Sequence, residues 1–125
     1  MKSRPLPLAV LVALALAGCA GAPANPDMRA RSDVLLPAYG MHEECMRLDP
    51  GDRLDYRFRS TAPVAFNIHY PEAGAVVTPL ARDSVSADSG IYLPVLSHDF
   101  CLVWEAGPAR ATLEYQVGVR RRAAY

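Results

Sequence analysis

Hydrophobic and polar residues alternate along much of the second half of the chain. Apolar side chains occupy every second position in three segments, which are Leu54, Tyr56 and Phe58, then Val64, Phe66, Ile68 and Tyr70, and finally Leu113, Tyr115, Val117 and Val119. A period of two is typical of a β-strand with one face in the core and the other in solvent. Each segment is therefore predicted to be a half-buried strand.

A fourth segment is apolar on both alternations. Phe100, Leu102 and Trp104 form one of them, and Cys101 and Val103 form the other. This pattern predicts a central strand that is buried on both faces, with Cys101 in the interior. Only residues 39–46 suggest a helical stripe instead.

Turn-forming residues divide the chain into short runs. They lie at residues 49–52, 71–74, 88–90 and 106–108, where Asp, Pro and Gly are concentrated. The chain has 125 residues, of which 51% are hydrophobic and 21% are charged, and this suits one globular domain. We therefore predict an all-β fold, a single antiparallel β-sandwich of about seven short strands.

The first residues have a different pattern, in which an apolar stretch over residues 6–17 follows the basic Lys2 and Arg4. The stretch is shorter than the roughly 20 residues that cross a bilayer as a helix, and this order is typical of a secretory signal peptide. Its end resembles the bacterial lipobox, the site of cleavage by lipoprotein signal peptidase, and reads Leu16-Ala17-Gly18-Cys19. The alternative is a secretory leader that carries a cysteine by chance.

The lipobox resemblance implies that the chain is the precursor of a bacterial lipoprotein. Cleavage would follow Gly18, and Cys19 would receive a diacylglycerol on its sulfur and an acyl chain such as palmitate on its new amino group. Two or more acyl chains anchor a protein stably to a membrane. In this class an Asp after the lipidated Cys marks inner-membrane retention, and Ala20 stands there instead. The expected location is therefore the outer membrane, facing the periplasm.

These features divide the chain into four parts. We predict a signal peptide over residues 1–18, the lipidated Cys19 with a flexible tether over residues 19–33, a β-sandwich over residues 34–120 and a basic tail over residues 121–125. Small residues and prolines support the tether. Arg120-Arg121-Arg122 would either meet anionic lipid headgroups or an acidic partner, or form a solvated tail.

Lipidation of Cys19 leaves two cysteines, Cys45 and Cys101. In an exported chain such a pair is expected to form a disulfide. The alternative is a metal-binding or redox pair, which usually has a CxxC spacing that this pair lacks.

The same two cysteines lie in segments that resemble the two ends of a GOLD-type domain, known from the lumenal domains of p24 cargo receptors. The segments are Glu44-Cys45-Met46, Leu48-Asp49-Pro50-Gly51-Asp52-Arg53-Leu54 and Asp99-Phe100-Cys101-Leu102-Val103-Trp104. The resemblance covers about residues 43–119 and implies a β-sandwich. The coiled coil and C-terminal membrane span of p24 proteins have no counterpart here, so cargo-receptor function does not carry over.

Charge and residue order do not favour catalysis or nucleic-acid binding. The formal net charge is zero, and removal of the signal peptide with its two basic residues leaves the mature chain slightly acidic. Ser97-His98-Asp99 are merely adjacent, whereas a catalytic triad converges in space. Glu43 and Glu44 would point to opposite faces of a strand. We therefore expect no enzyme activity, no cofactor and no nucleic-acid partner.

Three histidines, His42, His69 and His98, are the candidate metal ligands. Imidazole binds both copper and zinc, but none of the three has a second ligand at a typical spacing. No metal site is predicted on this basis, and solvent-facing side chains are the other interpretation.

Together these patterns predict a non-enzymatic, lipid-anchored binding or structural module of the cell envelope. Its expected partners are the membrane, through Cys19, and an unidentified envelope protein. The alternative is a periplasmic copper- or zinc-binding lipoprotein that uses its histidines.

Overall fold

The computed structural model describes Gly18 and residues 27–123, and every regular element within them is a β-strand. The strands are β1 (Met28–Leu36), β2 (Met41–Leu48), β3 (Arg53–Glu72), β4 (Ala75–Tyr92), β5 (His98–Ala106) and β6 (Ala111–Arg120). All strand pairs are antiparallel, so the predicted all-β antiparallel fold is confirmed. Within the described residues, no helix is long and apolar enough to cross a membrane. Cys19 and residues 1–17 of the predicted signal peptide lie outside them, as does the rest of the lipobox-like segment apart from Gly18.

β3 and β4 form a long ribbon that bends in the middle and belongs to both halves of the molecule. Residues 53–60 of β3 pair with β6, whereas residues 64–69 pair with β5. β4 follows β3 on both sides of the bend. We name the half with β1, β6, residues 53–60 and the end of β4 sheet I. The half with β2, β5, residues 64–69 and the start of β4 is sheet II.

The core lies between the two sheets, and aromatic rings fill its centre. Trp104 of sheet II stacks on Tyr115 of sheet I with ring centroids 4.6 Å apart, and it meets Phe58 of sheet I edge-on at 5.9 Å. The alternating apolar positions predicted in β3 and β6 are all buried, with at most 8% of each side chain exposed. Six strands therefore build the predicted sandwich, because the two longest each serve both sheets.

Two predictions within the sandwich are wrong. The turn predicted at residues 88–90 lies inside β4. Gly90 is opposite Tyr56 in the ladder, and a Cβ at Gly90 would lie 2.6 Å from the Tyr56 hydroxyl, so this glycine makes room for a ring rather than for a turn. The helical stripe suggested at residues 39–46 is largely strand β2. Its periodicity is obscured because polar residues occupy two of its core-side positions, His42 and Glu44.

The structure also corrects the start of the domain and the direction of Cys101. β1 begins at Met28 and pairs with β6, so residues 28–33 belong to the sandwich and not to the tether. Most of these residues are exposed because β1 is the edge strand of sheet I, and the apolar alternation is therefore missing. Cys101 faces outward and is only half-buried, since Phe100 and Leu102 take the core-side positions of β5.

Strand register divides the sandwich into two ends. β1 starts at one end, opposite Gly118 of β6. The connections at residues 49–52, 73–74 and 93–97 and the segment after β6 lie at this end too. We call it the tether end, because the chain from Cys19 enters the domain there. The far end carries residues 37–40, residues 107–110 and the bend of the β3–β4 ribbon.

Candidate functional site

The outer face of sheet II carries the disulfide. Cys45 on β2 and Cys101 on β5 are directly opposite each other in the ladder, and their sulfurs are bonded. The predicted Cys45–Cys101 disulfide is therefore confirmed. Cys45 is exposed, so the bond lies at the protein surface rather than in the interior.

A histidine and a glutamate flank this disulfide. His69 on β3 is opposite Cys101, and Glu43 precedes Cys45 by two residues on the same face of β2. One potential ligand atom from each of Glu43, His69 and Cys101 lies within 4.8 Å of the other two. Glu43 Oε1 also lies 3.0 Å from Cys45 Sγ. Three strands contribute to this cluster, so no local spacing in the sequence could reveal it.

The three histidines do not converge. His42 is opposite Trp104 near the end of β5, whereas His98 begins the same strand, about 20 Å away at the usual rise per residue. The Nδ1 of His98 accepts a hydrogen bond from the backbone N–H of Asp99 at 2.9 Å. Of the three histidines, only His69 belongs to a group of three potential metal ligands among the described residues.

A second polar cluster lies at the seam between β1 and β2, the outer edges of the two sheets. The Tyr115 hydroxyl donates to Glu44 Oε1 at 2.5 Å and lies 2.9 Å from His42 Nε2. The hydroxyl has one proton and donates it to Glu44, so in the second hydrogen bond His42 Nε2 donates and the hydroxyl oxygen accepts. Arg29 on β1 lies 3.8 Å from the other oxygen of Glu44.

The seam is a network in which each named polar group has a partner. Burial raises the pKa of Tyr115, and the hydrogen bond to Glu44 and the charge of Glu44 raise it further. The hydroxyl therefore remains a proton donor at neutral pH. The sequence offers His42 as a candidate ligand but does not reveal this network, because Tyr115 follows Glu44 by 71 residues and His42 by 73.

Asp52 is a buried carboxylate at the tether end, 4% exposed. It accepts hydrogen bonds from the backbone N–H groups of Asp49 and Arg122, both at 2.8 Å, and from Arg121 Nη1 at 3.1 Å. Burial opposes its ionisation, but these hydrogen bonds outweigh burial and lower the pKa of Asp52. Arg121 Nη2 also donates to Asp27 at 2.9 Å. The start of the predicted basic tail is thus tied to the point where the chain enters the domain.

In the part of the chain that the structure describes, large exposed apolar side chains are more numerous at the tether end than at the far end. Leu93 and Val95, in the loop between β4 and β5, are 63% and 84% exposed. The others at this end are Met28, Val76 and Ile91, and those at the far end are Leu35, Tyr39 and Met41. A group of exposed apolar side chains is typical of a surface that contacts a partner or a membrane.

The outer face of sheet I contains two adjoining depressions of about 580 and 780 Å³, which share Arg57 and Gln116 in their lining. Arg57 Nε donates to Gln116 Oε1 at 3.1 Å, so its charge is bonded to a neutral side chain. Four arginines and two acidic residues line the depressions together, namely Arg31, Arg57, Arg59, Arg120, Asp55 and Glu114. This face therefore has an excess of positive charge.

No protein-family model matches this chain, and no curated protein matches its sequence significantly.

Proposed function

We propose that this chain is a lipid-anchored, non-enzymatic binding or structural module of a bacterial envelope, attached through Cys19 at the outer membrane and facing the periplasm. The lipobox-like segment that ends at Cys19 carries the proposal. Asp27, where the described domain begins, follows Cys19 by only eight residues. A chain of that length reaches at most about 28 Å, so a lipidated Cys19 would keep the sandwich next to the bilayer.

The surface position of the disulfide supports export. Cytosolic glutathione and thioredoxin keep accessible thiols reduced, whereas the periplasm is oxidising. Cys45 is exposed, so the Cys45–Cys101 bond would be open to these reductants in the cytosol. An exposed structural disulfide therefore suits the compartment to which the signal peptide would direct the chain.

The apolar loop supports an orientation in which the tether end faces the bilayer. Leu93 and Val95 project from the same end at which the chain arrives from Cys19. A lipid anchor raises the local concentration of the domain at the membrane, so even a small apolar surface at the tether end would bind the bilayer. The outer face of sheet I would then remain free for a partner, and its excess of arginines favours an acidic one.

Lipidation is tested by expressing the full chain in a Gram-negative host with radiolabelled palmitate. Cys19→Ser is expected to abolish both the label and recovery in the membrane fraction, because the acylated sulfur is lost. Cys45→Ser is the matched control and should keep the label. A Cys19→Ser protein that is still labelled, or a wild type without label, contradicts the proposal.

The binding role is tested in the same cells with a photo-crosslinking residue at Gln116, within the depressions of sheet I. The control position is Asn67 on the outer face of sheet II, a residue that lines neither depression. We expect one discrete adduct with an envelope protein from Gln116 and none from Asn67. Equal adducts from both positions, or none from either, would argue against a partner surface on sheet I.

Metal binding by an envelope lipoprotein is the second candidate function. His69 favours it, because Glu43 and Cys101 place further ligand atoms within 4.8 Å. His42 is engaged by Tyr115, and His98 has its Nδ1 occupied by a backbone N–H. Any metal role of the histidines is therefore expected to rest on His69.

A further inference from the structure

We propose that reduction of the Cys45–Cys101 disulfide converts the outer face of sheet II into a four-ligand zinc site, made of Cys45, Cys101, His69 and Glu43. The inference deepens the second candidate function and is independent of the lipid anchor on which the first one rests. Either proposal can therefore fail without the other.

Strand register places the four side chains together. His69, Cys101 and Cys45 are successive neighbours in a row that runs across β3, β5 and β2, all on the outer face. Adjacent strands are about 4.8 Å apart, so the row brings one nitrogen and two sulfurs within reach of a single ion. Glu43 adds a carboxylate from the same face, with Oε1 3.0 Å from Cys45 Sγ.

The donor set and its spacing suit zinc. Zinc binds Cys sulfur at about 2.3 Å and His nitrogen or carboxylate oxygen at about 2.0–2.2 Å, usually with four ligands in a tetrahedron. Ligand atoms of such a site are about 3.3–3.8 Å apart, which follows from these bond lengths. The three mutual distances among Glu43, His69 and Cys101 are already within 4.8 Å.

Asn67 prepares the imidazole for this role. Asn67 Oδ1 lies 2.8 Å from His69 Nδ1, an arrangement in which Nδ1–H donates to the amide oxygen. The other nitrogen, Nε2, then carries the lone pair that a metal requires. Metal-binding histidines commonly have such a partner, which fixes both the tautomer and the orientation of the ring.

The disulfide controls whether the site exists. A bonded sulfur is neutral, whereas the thiolate is the form that binds metals. A dithiol reductant would attack the exposed Cys45 Sγ. It would pass two electrons and two protons to the pair and leave as its own disulfide, so that both cysteines become thiols. Zinc would then replace the two thiol protons, which pass to solvent.

Charge gives a reason for zinc rather than an empty site after reduction. Loss of both thiol protons would place two thiolates beside the Glu43 carboxylate, and thus three negative charges on a small area of sheet II. These charges repel one another, and a divalent cation at their centre removes most of the repulsion. The oxidised protein lacks the two thiolate charges and offers only His69 and Glu43.

The experiment is a zinc titration of the whole protein against a chromophoric competitor, once oxidised and once kept reduced with a phosphine. We expect the reduced protein to bind one zinc with sub-micromolar affinity and the oxidised protein to bind at least 100-fold more weakly. Zinc should raise the thermal midpoint of the reduced protein alone, because it binds only the folded site. Cobalt in the same site should show thiolate-to-metal charge-transfer absorption.

His69→Ala is the decisive variant, since it removes one ligand and leaves the disulfide intact for the oxidised comparison. It should weaken zinc binding by the reduced protein at least tenfold, whereas His98→Ala should bind like the wild type. Equal effects of the two variants, equal zinc affinity of the oxidised and reduced proteins, or a reduced protein that is unfolded with and without zinc would each overturn the proposal.

Discussion

The inner and outer faces of sheet II are built from the same strands but differ in what holds them together. On the inner face Trp104, Phe66 and their neighbours pack in a buried aromatic core. On the outer face Cys45 and Cys101 form a covalent link that is open to solvent. The inner face therefore contributes to stability through packing, which depends on the size and shape of the buried side chains. The outer face contributes through a bond that depends on redox conditions.

Removal of the Trp104 ring should be the largest disturbance of the inner face. Trp104→Ala is expected to lower the free energy of unfolding by about 3–5 kcal/mol, because the fully buried ring stacks on both Phe66 and Tyr115. Urea unfolding measures the loss. Glu105→Ala, the next residue on the exposed side of β5, should change stability by less than about 0.5 kcal/mol.

Trp104→Phe separates ring packing from indole chemistry. Trp104 Nε1 has no hydrogen-bond partner among the described residues, so the variant loses no polar contact there. It should retain more stability than Trp104→Ala. If the two variants were equally unstable, packing would not be the source of the effect.

Removal of the disulfide should come second and should act on the outer face alone. The combined variant Cys45→Ser and Cys101→Ser is expected to lose about 2–4 kcal/mol, because the crosslink joins residues 56 apart and restricts the unfolded chain. Chemical denaturation with and without a reductant measures this. The wild type should move to the midpoint of the variant when reduced, and the variant should not respond. A wild type that ignores the reductant would show that the outer link contributes nothing.

The smallest effect is expected at the seam, where the inner face opens to solvent. Tyr115→Phe removes the hydroxyl between His42 and Glu44 and should lower stability by about 1 kcal/mol at neutral pH. Folding raises the pKa of Tyr115, so above about pH 10 the unfolded chain releases this proton first and the stability of the wild type falls as pH rises.

Thermal midpoints from pH 7 to pH 11 test this sign. The alkaline loss should be smaller in Tyr115→Phe than in the wild type, while Tyr39→Phe, in an exposed turn, should behave like the wild type. The same alkaline slope in all three proteins would mean that Tyr115 is not the titrating group.

The sequence predicted those parts of the fold in which one face is apolar and the other polar. Residues 54–58 show this alternation, and the structure buries its apolar half. β4 escaped prediction because it lies at the edge of both sheets and is exposed along most of its length. β2 was not predicted as a strand because two of its core-side positions hold polar residues, His42 and Glu44. Both side chains are hydrogen-bonded to the Tyr115 hydroxyl.

The candidate sites were predicted less completely than the fold, because strand pairing decides them. The two cysteines that remain after Cys19 predict that Cys45 pairs with Cys101, and they are bonded in the structure. The pattern does not predict which face of the sheet carries the bond, because both alternations around Cys101 are apolar. His69 was named as a possible ligand without Glu43 or Asn67. Its neighbours become visible only when three strands are aligned in register.

The bend in the β3–β4 ribbon bears on how the chain folds. One uninterrupted stretch of backbone runs through both sheets, so neither half can be completed before the other. Unfolding is therefore expected as a single cooperative transition, without a stable half-folded species. β1 must find β6 at the opposite end of the chain, and topologies with such distant pairings fold in milliseconds to seconds. Through that interval the edges of an incomplete sheet would be exposed, and a newly synthesised chain would then be most vulnerable to aggregation and proteolysis.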